Sequence, residues 1–336
     1  MVHIIGAGIA GLLLAEALSK KGKKWCVYER AATVGAEASG KTAGIIRTYE
    51  ADPVIAAVAR ASLAYYIAHE PSFRKTGILL RPWEVDYALE DAPVKIFSHG
   101  RFSGFLLEDN GTLEPMETLQ RLAQNTLHGL VRYNAEMRLE LSEGGVTALV
   151  DTLGGERITV QKDDQVVIAA GEGAPALSVQ TATPLGLISH QRSLYEYHNT
   201  TAYRGPVEWD EESGCYFRPC DETLIATAGE QIPVEPRLSD GEAPVKSEKS
   251  LAAIAAAFPF LNPQQLKSYR TCRRTMPLDN RPYCGADQNQ PGVFWFTGFG
   301  GRGISIAPAL AEALSAALNG ETPGFDLAPF SPARQQ

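Results

Sequence analysis

Residues 2–30 read VHIIGAGIAGLLLAEALSKKGKKWCVYER, and their order predicts a nucleotide-binding βαβ unit. A short β-branched strand leads into a glycine turn, an amphipathic helix follows, and a second strand ends at Glu29. In such a unit Gly6 permits the tight turn, Gly8 lets the backbone approach a pyrophosphate, and Gly11 lets the helix pack against the strand. The N-terminus of the helix would then face the anion.

Glu29 is the acidic residue that this type of unit needs at the end of its second strand. It stands 23 positions after Gly6, where a carboxylate can accept hydrogen bonds from both ribose hydroxyls of an adenosine. A 2'-phosphate would be repelled there. The motif alone does not separate NAD from FAD.

Composition and charge exclude several other classes of protein. The chain has 336 residues, of which 44% are hydrophobic and 21% charged, as in an ordinary globular protein with a large core. A net charge of -8 argues against a nucleic-acid-binding surface. The five cysteines form no CxxC pair, which suits a reducing compartment, and the six histidines form no zinc signature, so we expect no metal. No apolar run reaches the roughly 18 to 20 residues of a membrane span, and the first motif begins at residue 2, so we expect a cytoplasmic protein.

Three later stretches predict further ligand contacts. Residues 35–47, GAEASGKTAGIIR, form a loop of small residues whose backbone amides could face a ligand. Residues 165–177, QVVIAAGEGAPAL, predict a buried strand that ends at an Ala-Gly pair. Residues 293–320, VFWFTGFGGRGISIAPALAEALSAALNG, predict a strand, a glycine loop and a long apolar helix, so a second helix N-terminus would point at a ligand.

Taken in this order, these stretches resemble the family of FAD enzymes that includes D-amino-acid oxidase, glycine oxidase and sarcosine oxidase. CYFRPCDETLIATAG at 215–229 and RRTMPLDNRPYCG at 273–285 extend the resemblance over nearly the whole chain. It implies an α/β protein with a Rossmann-like FAD-binding domain and a second, antiparallel-sheet substrate domain. By this resemblance the FAD-binding domain comprises residues 1–75, 110–180 and 270–336, and the substrate-binding domain comprises residues 76–109 and 181–269. LAAIAAAFPFL, residues 251–261, predicts a packing helix.

The resemblance also implies which residues line the cofactor, and they come from every segment of the first domain. They are Gly6, Ala7, Gly8, Ile9, Ala10, Gly11, Glu29, Arg30, Ser39, Gly40, Lys41, Thr42, Ala43, Gly44, Met137, Ala170, Gly171, Gly300, Gly301, Arg302, Gly303 and Ile304.

Candidate substrate residues are arginines and one tyrosine. Two adjacent arginines stand in TCRRTMPLDNRPYCG, residues 271–285, and the second, Arg274, matches the arginine that clamps the substrate carboxylate in amino-acid oxidases. A planar guanidinium fits a carboxylate with two parallel hydrogen bonds. Arg47 matches the carboxylate-binding arginine of sarcosine oxidases in part, and Arg302 precedes the second helix. Tyr216 matches a tyrosine that faces the flavin.

These matches favour an oxidase or dehydrogenase that oxidises the C–N bond of an amino acid or small carboxylated amine by hydride transfer to flavin N5. Two alternatives remain open: a flavin enzyme that acts on a modified tRNA nucleoside, and a C–O dehydrogenase of the 2-hydroxy-acid type that would use His190 or His198 as proton acceptor. A flavoprotein subunit that needs a partner chain is a third. Neither the electron acceptor, oxygen or quinone, nor the oligomeric state follows from the sequence. Cys272 matches the cysteine that sarcosine oxidases link to flavin, but non-covalent FAD is the preferred hypothesis.

Overall fold

The structure is a computed structural model and describes residues 1–81, 94–99, 102–124, 127–183, 185–234 and 247–334. Two large sheets and six α-helices build these parts of the chain. The helices are α1 (Ile9–Lys20), α2 (Pro53–His69), α3 (Pro115–Gln124), α4 (Ala174–Gln180), α5 (Glu248–Ala257) and α6 (Gly303–Leu318). The strands are β1 (Val2–Ile5), β2 (Trp25–Tyr28), β3 (Ile45–Ile46), β4 (Ile78–Arg81), β5 (Val94–His99), β6 (Phe102–Leu107), β7 (Gly111–Thr112), β8 (Gly129–Arg132), β9 (Met137–Ser142), β10 (Gly145–Asp151), β11 (Arg157–Thr159), β12 (Gln165–Ile168), β13 (Leu187–His198), β14 (Val207–Asp210), β15 (Tyr216–Pro219), β16 (Thr223–Thr227), β17 (Ile232–Pro233), β18 (Leu266–Pro277), β19 (Tyr283–Ala286) and β20 (Val293–Thr297).

The first sheet is the nucleotide-binding sheet that the opening motif predicts. Its order is β19-β20-β12-β1-β2-β8, and only the edge strand β19 runs antiparallel to its neighbour. β1, β2 and β12 are short hydrophobic runs, because a parallel sheet is covered on both faces. The predicted βαβ unit is confirmed as β1, α1 and β2.

Helix α1 differs from its prediction in one respect. The sequence predicts an amphipathic helix, but every residue of α1 except Lys20 is buried. The reason is that α6 and α3 both pack on α1, so the side opposite the sheet also faces protein. A helix that is apolar on all sides is typical of such a position.

The second sheet has nine strands and is antiparallel except where β14 and β4 run in parallel. Its order is β17-β13-β16-β15-β14-β4-β6-β5, and β18 pairs with β13 along almost its whole length. Strand β4 lies within residues 76–82, and strands β15 and β16 lie within the stretch 215–229 that carries part of the family resemblance. Helix α5 confirms the predicted packing helix for residues 251–257. It begins earlier, at a cap formed by Ser247, and ends at Ala257, before the last four predicted residues. The fold class predicted from the sequence is confirmed.

Strand β18 connects the two sheets. It pairs with β13 in the second sheet, yet the Thr275 side chain donates to the Gly171 carbonyl at 3.0 Å, directly after β12 of the first sheet. The backbone N–H of Gly300 also donates to the Thr275 carbonyl. β18 therefore runs across the predicted domain boundary at residue 270, and the division of the chain into domains stays a prediction.

Candidate functional site

A cavity of about 370 Å³ lies at the carboxyl ends of β1, β2, β12 and β20. Ligands of parallel α/β sheets bind at this edge, where strands hand over to helix N-termini. Most of the residues predicted to line a cofactor are brought together in its wall, and Arg274 reaches it from β18. The predicted residues that line it are Gly6, Gly8, Ile9, Ala10, Glu29, Arg30, Ser39, Thr42, Met137, Ala170, Gly171, Gly300, Gly301, Gly303, Ile304 and Arg274.

The remaining predicted residues lie outside the lining of this cavity. Gly11 packs beneath the turn instead, because a Cβ atom there would lie 2.0 Å from the Gly6 carbonyl oxygen. The others stand in the glycine turn, in the stretch that follows Ser39, on the second sheet, or at the start of α6. They are Ala7, Gly40, Lys41, Ala43, Gly44, Arg47, Tyr216 and Arg302.

The glycine turn has the geometry that close approach of a ligand requires. Gly6 adopts φ +108°, and a Cβ atom there would lie 2.5 Å from the Ala169 carbonyl oxygen. Gly8 begins α1 without a side-chain cap of its own, and the Ile9 N–H donates to Ser39 Oγ at 3.0 Å. The other N–H groups of this first turn are available to an anion.

Two backbone N–H groups hold the Glu29 carboxylate, one in the glycine turn and one just after β2. One carboxylate oxygen accepts from the Ala7 N–H and the other from the Ala31 N–H, both at 2.9 Å. Each oxygen keeps a second lone pair for a ligand hydroxyl. The carboxylate is therefore oriented before any ligand binds.

Glu172 is a lining residue that the sequence reasoning missed. It is buried and forms an ion pair with Arg30, which also contacts Glu37 at 3.8 Å. The pair joins the end of β2 to the segment after β12, so it spans one end of the cavity. A charged residue directly after the Ala-Gly pair of a buried strand was the available signal.

Two arginines of the second sheet hold the loop of small residues in place. Arg270 on β18 donates to the carbonyls of Lys41 and Thr42 at 3.2 and 3.3 Å. Arg218 on β15 is buried and donates to the carbonyls of Ala43 and Leu113. The predicted residues Lys41 and Ala43 thus attach the loop to the second sheet through their carbonyl groups. Their neighbours Ser39 and Thr42 line the cavity.

The N-terminus of α6 closes the opposite end of the cavity. Its first residues, Gly303 and Ile304, line the cavity, and no side chain caps them. Arg302 turns away, because its guanidinium hydrogen-bonds the Asn280 carbonyl and lies 3.5 Å from Glu50. The partial positive charge of the helix end is thereby left facing the cavity.

Arg274 is a buried cation that faces the cavity, with only 8% of its surface exposed. A Cβ atom on Gly301 would lie 2.7 Å from its Nη1, so the guanidinium reaches the glycine loop before α6. Burial works against the charge, yet Cys272 and Tyr216 hold the pKa of Arg274 above its usual value. Within the described ranges, no carboxylate forms a salt bridge with Arg274.

Arg47 is in a different situation, because its charge is already balanced. Its guanidinium lies 3.0 Å from Glu211 and 3.6 Å from Glu50, and it stacks over the ring of Trp209 at 4.2 Å. Trp209 in turn stacks on Tyr216, with ring centroids 4.4 Å apart. Arg47 thus fixes one end of an aromatic wall that leads to Tyr216.

Two further properties concern metals and membranes. Among the described residues, no group of three or more His, Cys, Asp or Glu side chains is arranged to hold a metal ion. In the same parts of the chain, no helix is both long enough and apolar enough to cross a bilayer.

The residues present fit an extended dinucleotide such as FAD. The lining runs from Glu29, placed for a ribose, past the start of α1, where N–H groups other than that of Ile9 are placed for a pyrophosphate, to the uncapped start of α6 and Arg274. A second helix N-terminus at the far end suits a ring system that carries negative charge when reduced. Arg30, the lining cation next to Glu29, already pairs with Glu172, and the Glu29 carboxylate would repel a 2'-phosphate.

Comparison with solved structures finds the same fold in two oxidases and a dehydrogenase. Glycine oxidase from Geobacillus kaustophilus superimposes with a TM-score of 0.84 at 17% identity, covering 100% of this chain and 98% of that one. L-proline dehydrogenase from P. horikoshii gives 0.83 at 17% identity over 99% and 96% of the two chains. Iminodiacetate oxidase from Chelativorans sp. gives 0.79 at 17% identity over 99% of both.

Two curated relatives are bifunctional proteins of tRNA 5-methylaminomethyl-2-thiouridine biosynthesis. The tRNA 5-methylaminomethyl-2-thiouridine biosynthesis bifunctional protein of Polaromonas naphthalenivorans is 24% identical over 95% of this chain. Its counterpart from Albidiferax ferrireducens is 25% identical over 95% of this chain. The chain spans about half the length of these relatives, 56% and 55%.

One family model covers most of the chain and accounts for the cavity just described. It is DAO, FAD dependent oxidoreductase, and it matches residues 1–317. The match includes the glycine turn, β12, β18 and the start of α6. The chain therefore belongs to the DAO family of FAD-dependent oxidoreductases, and FAD is its cofactor.

Proposed function

We propose that this enzyme oxidises the C–N bond of an amino acid or small carboxylated amine. The observation that carries the proposal is Arg274, a buried guanidinium that lines the cavity and has no carboxylate partner among the described residues. A buried cation without a counter-ion is costly, so an anionic ligand that fills the place is strongly favoured. A substrate carboxylate supplies that charge.

Each group around Arg274 then has a task. The guanidinium binds the carboxylate through two parallel hydrogen bonds and so fixes the substrate's orientation. The Tyr216 ring, stacked on Trp209, supplies a rigid wall beside it. The FAD that binds in this cavity supplies the hydride acceptor, and the unprotonated substrate amine needs no protein base to lose a hydride from its carbon. The free N–H groups of α6 stabilise negative charge at that end of the cavity.

The test is the rate of flavin reduction without oxygen, measured for matched pairs of substrates. Each pair is an amino acid and its decarboxylated amine: glycine with methylamine, sarcosine with dimethylamine, and proline with pyrrolidine. Arg274→Met should raise the apparent KM for the carboxylated members by a factor that corresponds to about 3 to 5 kcal/mol. The amines should change little. Arg204→Gln, which removes an exposed arginine, is the charge-matched control.

Equal losses for both members of each pair would make Arg274 a structural residue. The same comparison applied to Arg47→Met then tests the second predicted clamp. We expect little selectivity from Arg47, since Glu211 and Glu50 already balance its charge.

The relatives support a second candidate, activity on a modified tRNA nucleoside. The alignment with the two tRNA-modifying proteins covers 95% of this chain, although it spans about half of theirs. The net charge of -8 disfavours an RNA-binding surface. Filter binding of bulk tRNA at low salt separates the candidates. Retention of tRNA by the protein that weakens steeply as salt is added would support activity on tRNA.

His190 supports a third candidate, C–O oxidation of a 2-hydroxy acid. It stands directly opposite Arg274 in the β13–β18 pair, and its Nδ1 is buried without a hydrogen-bond partner. A base beside a carboxylate clamp is what alcohol oxidation needs. The other predicted base, His198, is exposed at the end of β13. Anaerobic flavin reduction by glycolate or lactate, lost in His190→Asn, would favour this candidate over amine oxidation.

A further inference from the structure

Arg192 is a second arginine on the sheet face that carries Arg274. In the β13–β18 pair, Arg192 stands opposite Cys272, and His190 stands opposite Arg274. Directly opposed residues, and residues two apart along a strand, share one face of a sheet. Arg192 and Arg274 are therefore diagonal neighbours on that face.

The strand of Arg192 lies between the strand of Arg274 and the strands that lead to Tyr216. Its strand, β13, is flanked by β18 on one side and by β16 on the other, and β15 with Tyr216 follows β16. Tyr216 and Arg274 both act electrostatically on Arg192, as expected for groups in one cluster. Arg192 is therefore on the strand that separates the strand of the proposed clamp from the strands that lead to Tyr216, although it is not among the residues that line the cavity.

In the described parts of the chain, Arg192 is not neutralised by an ion pair. Among the described residues, neither Arg192 nor Arg274 makes a salt bridge. Glu230 is the carboxylate that acts on Arg192, but its Oε1 accepts from the Ser193 N–H and its Oε2 is buried without a hydrogen bond. Burial lowers the pKa of Arg192, and the positive charge of Arg274 lowers it further. Both groups nevertheless remain cations at neutral pH.

Balancing the positive charges of both Arg192 and Arg274 requires more negative charge than an amino acid with one carboxylate carries. A substrate whose amine is neutral and which has one carboxylate carries a charge of about -1 at neutral pH. Such a substrate balances Arg274 and leaves Arg192 beside it uncompensated. A second carboxylate balances both guanidinium groups and relieves their mutual repulsion.

We propose that Arg192 binds a second anionic group of the substrate, so that the preferred substrates are amino acids or secondary amines with two carboxylates. This inference rests on the proposed amine oxidation and names its substrate class. Arg192 is then a specificity-determining residue, while Arg274 serves every carboxylated substrate.

The first experiment uses the wild-type holoenzyme and needs no variant. Acetate, propionate, malonate and succinate are titrated by isothermal calorimetry and, in parallel, by the change in flavin absorbance. We expect the better dicarboxylate to bind at least about 10-fold more tightly than either monocarboxylate, the gain from one added charge-assisted interaction. Equal affinities for all four anions would overturn the proposal, since both arginines would then share one carboxylate.

The second experiment compares anaerobic flavin reduction by two groups of amines. The monocarboxylates are glycine, sarcosine and alanine, and the dicarboxylates are aspartate, glutamate and iminodiacetate. Arg192→Met should lower kcat/KM for the effective dicarboxylate about 10- to 100-fold and change the monocarboxylates by less than about threefold. Arg192→Lys should recover part of the loss because it restores the charge. Arg204→Gln, an exposed arginine, should leave both groups unchanged.

The outcomes separate this inference from the proposed function. If no carboxylated amine reduces the flavin, the proposed function fails. If monocarboxylates are good substrates and Arg192→Met affects both groups equally, amine oxidation stands and the role of Arg192 is refuted. FAD content and the thermal unfolding midpoint identify a misfolded variant, and in that case the wild-type titration decides.

Discussion

Replacing Arg218 with methionine should detach the loop of small residues, 35–47, from the second sheet. This loop is called the cofactor loop below. The guanidinium is buried, and its Nη1 donates to the carbonyls of Ala43 and Leu113, the latter at 3.0 Å. Another of its nitrogens pairs with the carboxylate of Glu114. Methionine keeps the apolar length of the side chain but makes none of these bonds.

The size of the effect follows from the two carbonyl bonds. A hydrogen bond to a charged group contributes about 1.5 to 3 kcal/mol, so two at the lower end predict a loss of about 3 kcal/mol in the free energy of unfolding. Arg270→Met is the matched comparison, because Arg270 also donates to two carbonyls, at 3.2 and 3.3 Å, but is only partly buried. We expect a loss of about 1 kcal/mol there.

The loop carries Ser39 and Thr42, so loosening it should also weaken FAD binding. We expect the FAD dissociation constant to rise at least about 10-fold in Arg218→Met, which corresponds to about 1.4 kcal/mol. Urea unfolding of the apoprotein and fluorescence titration with FAD measure the two effects. Arg157→Met is the surface control, because it removes an exposed ion pair between Arg157 on β11 and Glu140 on β9. If Arg218→Met weakens FAD no more than this control, the second sheet does not hold the loop.

Two other predictions concern the β18–β19 turn and Cys272. Burial alone would raise the pKa of Asp279, but the two hydrogen bonds from Arg334, at 2.7 and 3.0 Å, hold it below its ordinary value of 3.8. Asp279→Asn should therefore lower the free energy of unfolding by about 1 kcal/mol at pH 7. Measured by urea unfolding, the difference between wild type and variant should shrink as the pH falls below about 4. A difference that stays constant with pH would contradict the ion pair. Acid precipitation should leave the flavin in the supernatant, whereas colour in the pellet and a mass increase on the peptide containing Cys272 would establish a covalent link.

The fold predictions that were confirmed rest on local spacing. Gly6, Gly8, Gly11 and Glu29 are separated by a few residues or by one helix, so a βαβ unit brings them together wherever it forms. The positive φ of Gly6 and the contact at Gly11 are properties of that unit alone. Burial of α1 was predicted wrongly because it depends on α6, about 300 residues later in the chain.

The arginines show where sequence reasoning stops. Arg274 was the preferred clamp by pattern, with Arg47 and Arg302 as further candidates, and the structure gives them different partners: Glu211 and Glu50 for Arg47, Glu50 for Arg302. No local pattern places Glu211 beside a residue 164 positions earlier. Arg218 and Arg270 hold backbone carbonyls, which every residue has, so their partners leave no trace in the sequence.

The two adjacent arginines of β18 place a strict demand on the register of that strand. Arg270, Cys272 and Arg274 lie on one face, and Arg273 and Thr275 lie on the other. A slip of one residue against β13 would exchange the two faces. Arg270 would then leave the cofactor loop, Arg274 would leave the face of Arg192 and Tyr216, and Thr275 would lose the Gly171 carbonyl. The long pairing of Leu187–Tyr197 with β18 therefore positions both Arg270, which holds the loop, and Arg274, the proposed clamp. A variant that shortens this pairing should weaken the binding of FAD and of carboxylates together.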